Sequence, residues 1–500
     1  MEKFDKEQAI ADIAKNLGIS EENVSFDDKN KIYEIAKKSD GKPCDILKIN
    51  ESDKLSNLLN IYSLKFISCN FSKSIVIDNQ NFKNRIIFRD IIFSENFNLN
   101  SSIFFKEVEF FGCFFKKNLH FEKCELKEKI IFLGINSLKA EFEHNTFEKE
   151  VYFGKEIDDR NVEKSNSFGS CSFRYVDFSN CHFLNEVYFK NNDFNQAIFR
   201  NSNFKDNVYF NNSHFKDYAD FHACEFEKTA CFYGVTFDKA PNFSQAIFKG
   251  NLNAVNAILN FTFDDLNEKI RLEYNSYENQ RTIIEAGVIP NLYKEKPLNK
   301  FANDFRDSFR VFKSTLVKDN NALDASNFHK YELYCKEIEL EEKKPKMFSK
   351  EWMDKWQLFF YRKLCDHHTN LLLNLKWLVI TLGIFASIFL IIKINKYGIS
   401  ILDIFNTYWI YASSLGCFLL FVLAFFKCLE KMKSFVCVNL IIIFWVICYK
   451  PKIIFGIANL IGDNNYNIYE NLLITIYTII VGLILFSLQK TARKNSIMPN

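Results

Sequence analysis

Two short stretches place a thiol beside an imidazole: Cys181–His182, and His222 two positions before Cys224. Thiolate and imidazole are both zinc donors. A second imidazole pair, His367–His368, stands just before a long apolar segment, where histidines could sense pH. None of these groups grows into a site. The 14 cysteines contain no CxxC pair, so zinc-ribbon and thioredoxin-like chemistry lack support. Carboxylates are plentiful, yet no two are singled out as an acid–base pair. The P-loop, GxSxG, HExxH and Rossmann fingerprints are all missing. No catalytic, cofactor-binding or metal-ligating residue is assigned, and a protein that is not an enzyme and carries no cofactor is expected.

The residues that do recur are phenylalanines, 56 in 500 positions. From Phe168 they fall at Phe173, Phe178, Phe183, Phe189, Phe194, Phe199, Phe204 and Phe210, and so on to Phe248, always five or six residues apart. A less regular ladder precedes them, from Phe66 through Phe88, Phe110 and Phe132 to Phe153. Residues 154–167 (GKEIDDRNVEKSNS) interrupt it and are expected to form an insertion loop. Two positions before each Phe stands a small or β-branched residue, such as Val176, Cys181, Val187, Ala197, Ser202 or Cys224. A separation of two puts both side chains on one face of an extended segment. The remaining positions are mostly Asn, Lys, Asp, Glu and Ser, and should face water. A helix repeats every 3.6 residues and a strand every two, so a period of five fits neither. It fits a chain that turns a corner after each short extended step.

Four such steps make a coil of about 21 residues, within the range of solenoid repeats. Coils stacked at roughly 4.8 Å would form a rod about 40 Å long over residues 66–250. This register points Cys181 and Cys224 inward and His182 and His222 outward, which argues against a metal site. The stretches FRYVDFSNCHF and NEVYFKNNDFNQAIFRNSNF resemble the pentapeptide-repeat family, in a Phe-centred variant with five- and six-residue steps. The resemblance implies a right-handed quadrilateral β-helix and implies little about function. Some soluble members mimic DNA and bind type II topoisomerases, a role that wants a strongly acidic rod. Residues 66–250 hold 23 basic and 25 acidic side chains, which is weak mimicry. The whole chain carries a formal net charge of +3, too balanced to call for nucleic acid.

The flanks are expected to be helical. Residues 1–64 carry short amphipathic patterns, QAIADIAKNLG and NKIYEIAKK, suited to capping the first coil. They contain no apolar signal-peptide core, and the cysteines read as reduced, in a cytoplasmic setting. Residues 251–369 read as a helical connector. It holds a helix over 264–286 and a hairpin with Phe301, Phe305, Phe309, Phe312 and Leu316 on one arm and Phe328, Tyr331, Cys335 and Ile338 on the other. Asp324 or Ser326 is the expected N-cap of the second arm. Its stretch LDASNFHKYELYCKEIELE resembles a segment of membrane-linked pentapeptide proteins of ε-proteobacteria.

Residues 370–489 read as a transmembrane domain of four helices: Leu371–Ile392, Ile404–Phe426, Ser434–Tyr449 and Asn471–Leu488, with 453–461 at the interface. Trp377, Trp409, Trp445, Tyr408 and Tyr449 are candidate interface anchors. Basic residues crowd the stretch 343–363, the loop after the second span (Lys427, Lys431, Lys433) and the tail 490–500 (Lys490, Arg493, Lys494). The opposite loops hold only Lys393, Lys396, Lys450 and Lys452. The positive-inside rule then puts both termini in the cytoplasm of a bacterial inner membrane. The expected function is a membrane-anchored scaffold that binds a protein partner and not nucleic acid, with self-association into a homo-oligomer allowed. The alternative is an ion channel or gated pore with the solenoid as a cytoplasmic sensor.

Overall fold

The computed structural model describes residues 2–36, 44–46, 52–154, 170–286, 296–318, 320–398, 407–427, 429–449 and 467–494. The chain divides into two compact units, 1–344 and 345–500.

The first unit is a β-solenoid. Nine strands, Leu64–Ile67, Ile86–Arg89, Val108–Phe111, Ile130–Leu133, Val151–Gly154, Val187–Lys190, Val208–Tyr209, Ala230–Cys231 and Leu252–Asn253, follow one another in one parallel sheet. Each residue pairs with one 21 or 22 positions on, as in Val108 with Ile130 and Val187 with Val208. Val151 pairs instead with Val187, 36 positions on. The surplus falls on residues 155–169, so most of the expected insertion loop lies outside the described residues. Two further sheets close the coil, giving about eight turns. The ladder continues past 250, through Leu252–Asn253 to Ile258–Leu259.

The phenylalanines stack along the interior. Phe110 lies over Phe132 at 4.9 Å and 3°, Phe189 over Phe210 at 5.0 Å and 9°, and Phe183 over Phe204 at 4.8 Å and 2°. These spacings match the strand separation of about 4.8 Å, so one ring per coil fills each column. Neighbouring columns meet edge to face, as Phe178 does Phe189 at 67°. Edge-to-face contact sets a positive ring edge on a negative face. Burying each ring contributes about 2–3 kcal/mol.

The corners have a rule of their own. Three residues before every second Phe of the ladder the backbone is left-handed: Asn180, Asn191, Asn201, Asn212, Ala223, Gly234 and Gln245 precede Phe183, Phe194, Phe204, Phe215, Phe226, Phe237 and Phe248. Asn and Gly enter that region most readily. Much of the asparagine expected merely to face water therefore sits where the backbone needs it.

Helix α1 (Glu2–Leu17), a hairpin of β1 (Val24–Asp27) and β2 (Ile32–Ala36), and α2 (Ser52–Ile61) precede the first coil. Within the expected helix NKIYEIAKK, residues Ile32–Ala36 are strand β2. It lies antiparallel to β1 and parallel to Leu64–Ile67, burying Ile32 and Ile35 and covering the free edge of the first coil. At the other end come α3 (Phe263–Ala286), α4 (Leu298–Lys318) and α5 (Ala322–Lys343). Asn321 caps α5, accepting from the Asp324 N–H, where Asp324 or Ser326 was expected to cap. Phe312 of α4 packs on Phe243 at 4.5 Å, and on Phe232 and Phe248. The Phe243 N–H donates to Ser308 Oγ at 2.9 Å, and Tyr331 Oη donates to the Leu259 carbonyl at 3.0 Å. The hairpin is thus the lid on the last coil, and the unit boundary after Lys344 falls inside the stretch read as one connector.

The second unit holds α6 (Lys350–Cys365), α7 (Leu371–Tyr397), α8 (Thr407–Phe425), α9 (Lys431–Tyr449) and α10 (Ile468–Lys494). Among the described residues two stretches are long and apolar enough to cross a membrane, Leu371–Lys396 and Ile468–Arg493. Tyr411–Phe425 is a shorter apolar helix. The segment 453–461 lies outside the described residues. Phe385 of α7 stacks on Tyr477 of α10 at 3.7 Å. Gly383 faces Asn439 of α9 so closely that a Cβ there would overlap the amide. Lys393 and Glu470 pair at 3.4 Å where α7 ends and α10 begins.

Candidate interaction surface

Every thiol and imidazole named from the sequence has a definite place. Cys181 and Cys224 are wholly buried and donate to the carbonyls of Phe142 and Phe199. Cys113, Cys124 and Cys171 do the same toward Phe88, Leu99 and Phe132. Ser202 and Ser213 fill equivalent positions, donating to Phe178 and Phe189. Their hydroxyl oxygens also accept from the N–H of Cys181 and Asn192. The residue two before Phe therefore follows two rules. At the left-handed corners before Phe183, Phe194, Phe204, Phe215 and Phe226 it is Cys, Ser or Asn, whose side chain serves backbone groups that would otherwise be buried unpaired, whereas Val235 and Ala246 fill the corners before Phe237 and Phe248. At the intervening corners it is an apolar filler, such as Val187, Ala197 or Ile130. Burial pushes the Cys113 and Cys171 thiols up to about 12, so both stay protonated and unreactive near neutral pH.

His182 is exposed, and His222 Nδ1 lies 2.7 Å from Ser244 Oγ. No group of three His, Cys, Asp or Glu suited to a metal ion occurs among the described residues. His367 and His368 stand in the turn from α6 to α7, where Asp366, His367 and His368 all have positive φ. His368 Nδ1 lies 3.3 Å from Thr491 Oγ1, 3.4 Å from Ser487 Oγ and 3.5 Å from Cys365 Sγ. That geometry ties the turn to α10. Asp220, wholly buried, pairs with Arg200, while burial pushes its carboxyl up against that partner's pull. Lys269 of α3 stands 3.6 Å over the neighbouring Tyr218 ring, so this cluster seats α3 on the solenoid.

The outward charges are matched coil to coil. Lys127 reaches Glu148 at 2.5 Å, Lys228 reaches Asp206 at 2.7 Å and Lys216 reaches Asp193 at 3.1 Å, while Lys205 pairs with Glu227. Along these columns, among the described residues, opposite charges therefore alternate from coil to coil. One outward column differs. Tyr152, Tyr188 and Tyr209 stack in register at 4.7 and 5.0 Å, within 11° of parallel. Lys129 lies 4.2 Å over Tyr152, and Lys190 bridges Tyr188 and Tyr209 at 4.8 and 4.9 Å. The Tyr188 hydroxyl bonds Glu186. The rings are half-buried, and the column forms a flat aromatic strip edged by ammonium groups. Tyr and Arg dominate the energetic centres of protein interfaces, and Lys is usually kept to the rim. Sequence reading passed over this strip. Its signal was the tripeptide Val-Tyr-Phe, which occurs at 151–153, 187–189 and 208–210.

Residues 168–214 and 178–225 match the family model for pentapeptide repeats (9 copies). No curated protein and no solved structure matches the chain. The matched coils pair with further coils on both sides, with Val151–Gly154 across the 36-residue step and with Leu252–Asn253 beyond. Residues 168–225 are thus pentapeptide repeats, and they form part of the longer β-solenoid.

Proposed function

We propose that this protein is a membrane-anchored, non-catalytic scaffold on the cytoplasmic face of a bacterial inner membrane, and that its solenoid binds a protein partner. The observation that carries the reading is the Tyr152–Tyr188–Tyr209 strip on a rigid, charge-compensated rod, in a chain with two helices apolar enough to span a bilayer. Stacked coils hold the rings without the entropy loss that flexible side chains suffer on binding. The excess of Lys and Arg beside the apolar segments supports the cytoplasmic orientation.

The test is crosslinked co-isolation from native membranes. It compares the full chain with two variants, Y152A/Y188A/Y209A and K205A/E227A, the second altering a different column. A partner kept by K205A/E227A and lost by the tyrosine variant supports the reading. Recovery indifferent to the tyrosines, with ion flux from reconstituted vesicles, would replace it by the channel.

A further inference from the structure

Helix α6 stands at the N-terminal end of the first apolar helix and shows an unusual face. Trp352, Trp356, Phe359 and Phe360 recur at helical spacing and line one side, with Met353 beside them. The rings run as a chain: Phe348 to Trp352 at 5.3 Å, Trp352 to Trp356 at 6.0 Å, Trp356 to Phe359 at 5.7 Å. They are not core. Trp356 is 51% exposed and Met353 57%, while Met347 and Phe348 just before the helix reach 71% and 80%. The C-terminal end of the helix is docked. There Leu364 and Cys365 are buried with Ile484 of α10, and Trp377 Nε1 of α7 donates to the Lys363 carbonyl at 2.9 Å.

Charge says what covers the remaining face. Lys346, Lys350, Lys355, Arg362 and Lys363 surround the aromatic stripe, against Glu351 and Asp354 alone. Arg362 and Lys363 also stand 5.5 and 6.0 Å from the Phe359 ring, at the stripe's edge. A basic helix whose other face carries Trp and Phe is the composition that lies in the headgroup plane of a bilayer. Indoles favour that depth because one edge is apolar and the other donates a hydrogen bond. Continuity agrees: only residues 366–370 separate α6 from α7.

We infer that α6 is an interfacial anchor, its Trp352, Trp356, Phe359 and Phe360 side inserted among anionic phospholipids at the entry of α7. The inference rests on the reading that α7 and α10 cross a bilayer. It adds a second contact with lipid and names the leaflet's charge. A helix held flat would also fix the direction in which the chain enters α7, through the left-handed turn Asp366–His368.

The five tryptophans allow one experiment to separate the two ideas. The full chain is placed in nanodiscs of brominated phospholipid, either phosphatidylcholine alone or mixed with phosphatidylglycerol. One variant, W377F/W409F/W445F, reports only on Trp352 and Trp356, and the converse W352F/W356F reports on Trp377 of α7, Trp409 of α8 and Trp445 of α9. Trp to Phe keeps an aromatic ring, and circular dichroism checks each fold. An interfacial α6 gives blue-shifted emission, quenched about twofold in the anionic discs and less in the neutral ones, and protected from iodide. Quenching of the second set with no quenching of Trp352 and Trp356 overturns the anchor and leaves the membrane reading intact. Quenching of neither set overturns both. Shielding of Trp352 and Trp356 from lipid and iodide alike would mean that protein covers the stripe, and this too overturns the anchor. Equal quenching in neutral and anionic discs overturns the preference for anionic lipid.

Discussion

Each inward residue of the solenoid answers to two constraints, the width of the coil and the backbone groups at its corner. Phe189 stacks between Phe153 and Phe210 and is wholly buried. Phe189→Ala leaves a ring-sized void in a column that cannot collapse, and should cost about 3–5 kcal/mol in urea denaturation. Cys181→Ser should cost under about 1 kcal/mol, because Ser202 and Ser213 already do this work with hydroxyls at equivalent corners. A large cost would mean that the thiol has another role. Acid is a second residue-scale test. Burial raises the Glu332 carboxyl, but His329 and Lys313 outweigh it and bring the value from 4.5 down to about 2. The folded value lies below the unfolded one, so its contribution is complete above about pH 4.5 and is lost as pH falls toward 2. Glu332→Gln should therefore lower the melting temperature at pH 6 and flatten its fall between pH 4.5 and 2.5. Parallel curves for the two proteins would contradict this.

At the scale of elements, the corners and the cap decide stability. Asn212 and Gly234 occupy left-handed corners of successive coils, and a Cβ at Gly234 would strike the Asn212 side chain. Gly234→Ala should thus be destabilising by about 1–3 kcal/mol, and Asn212→Gly close to neutral. The reverse order in thermal melts would refute the corner assignment. The α4 cap is tested by Phe312→Ala, which uncovers Phe243 and should cost about 3–5 kcal/mol. Hydrogen exchange should then rise first in the last coil, over 230–259. The Phe ladder was legible because one residue type recurs at a period no helix or strand has. The left-handed corners were not, since handedness belongs to the backbone and Asn is also the ordinary polar surface residue. NKIYEIAKK misled for a related reason. Ile32, Tyr33 and Ile35 fit a short helix as well as a strand, and only the unpaired edge of Leu64–Ile67 settles the choice. The tyrosine strip was hidden by the insertion, which stretches one 21-residue step to 36.

At the scale of the molecule, a solenoid unit ending at Lys344 is followed by a unit with two helices able to span a membrane. Ion pairs such as Lys127–Glu148, Lys228–Asp206 and Lys216–Asp193 set opposite charges on neighbouring coils, which weakens any long-range field from the solenoid. On the proposed reading recognition falls to short-range contact, for which the stacked tyrosines offer an ordered aromatic surface. The decisive measurement is photo-crosslinking in native membranes, with a photoreactive side chain placed at Tyr188 in one culture and at Lys249, on another column, in a second. A protein scaffold working through the tyrosine strip gives one discrete protein adduct from position 188 and none from 249. Adducts at neither position, or at both alike, would contradict it.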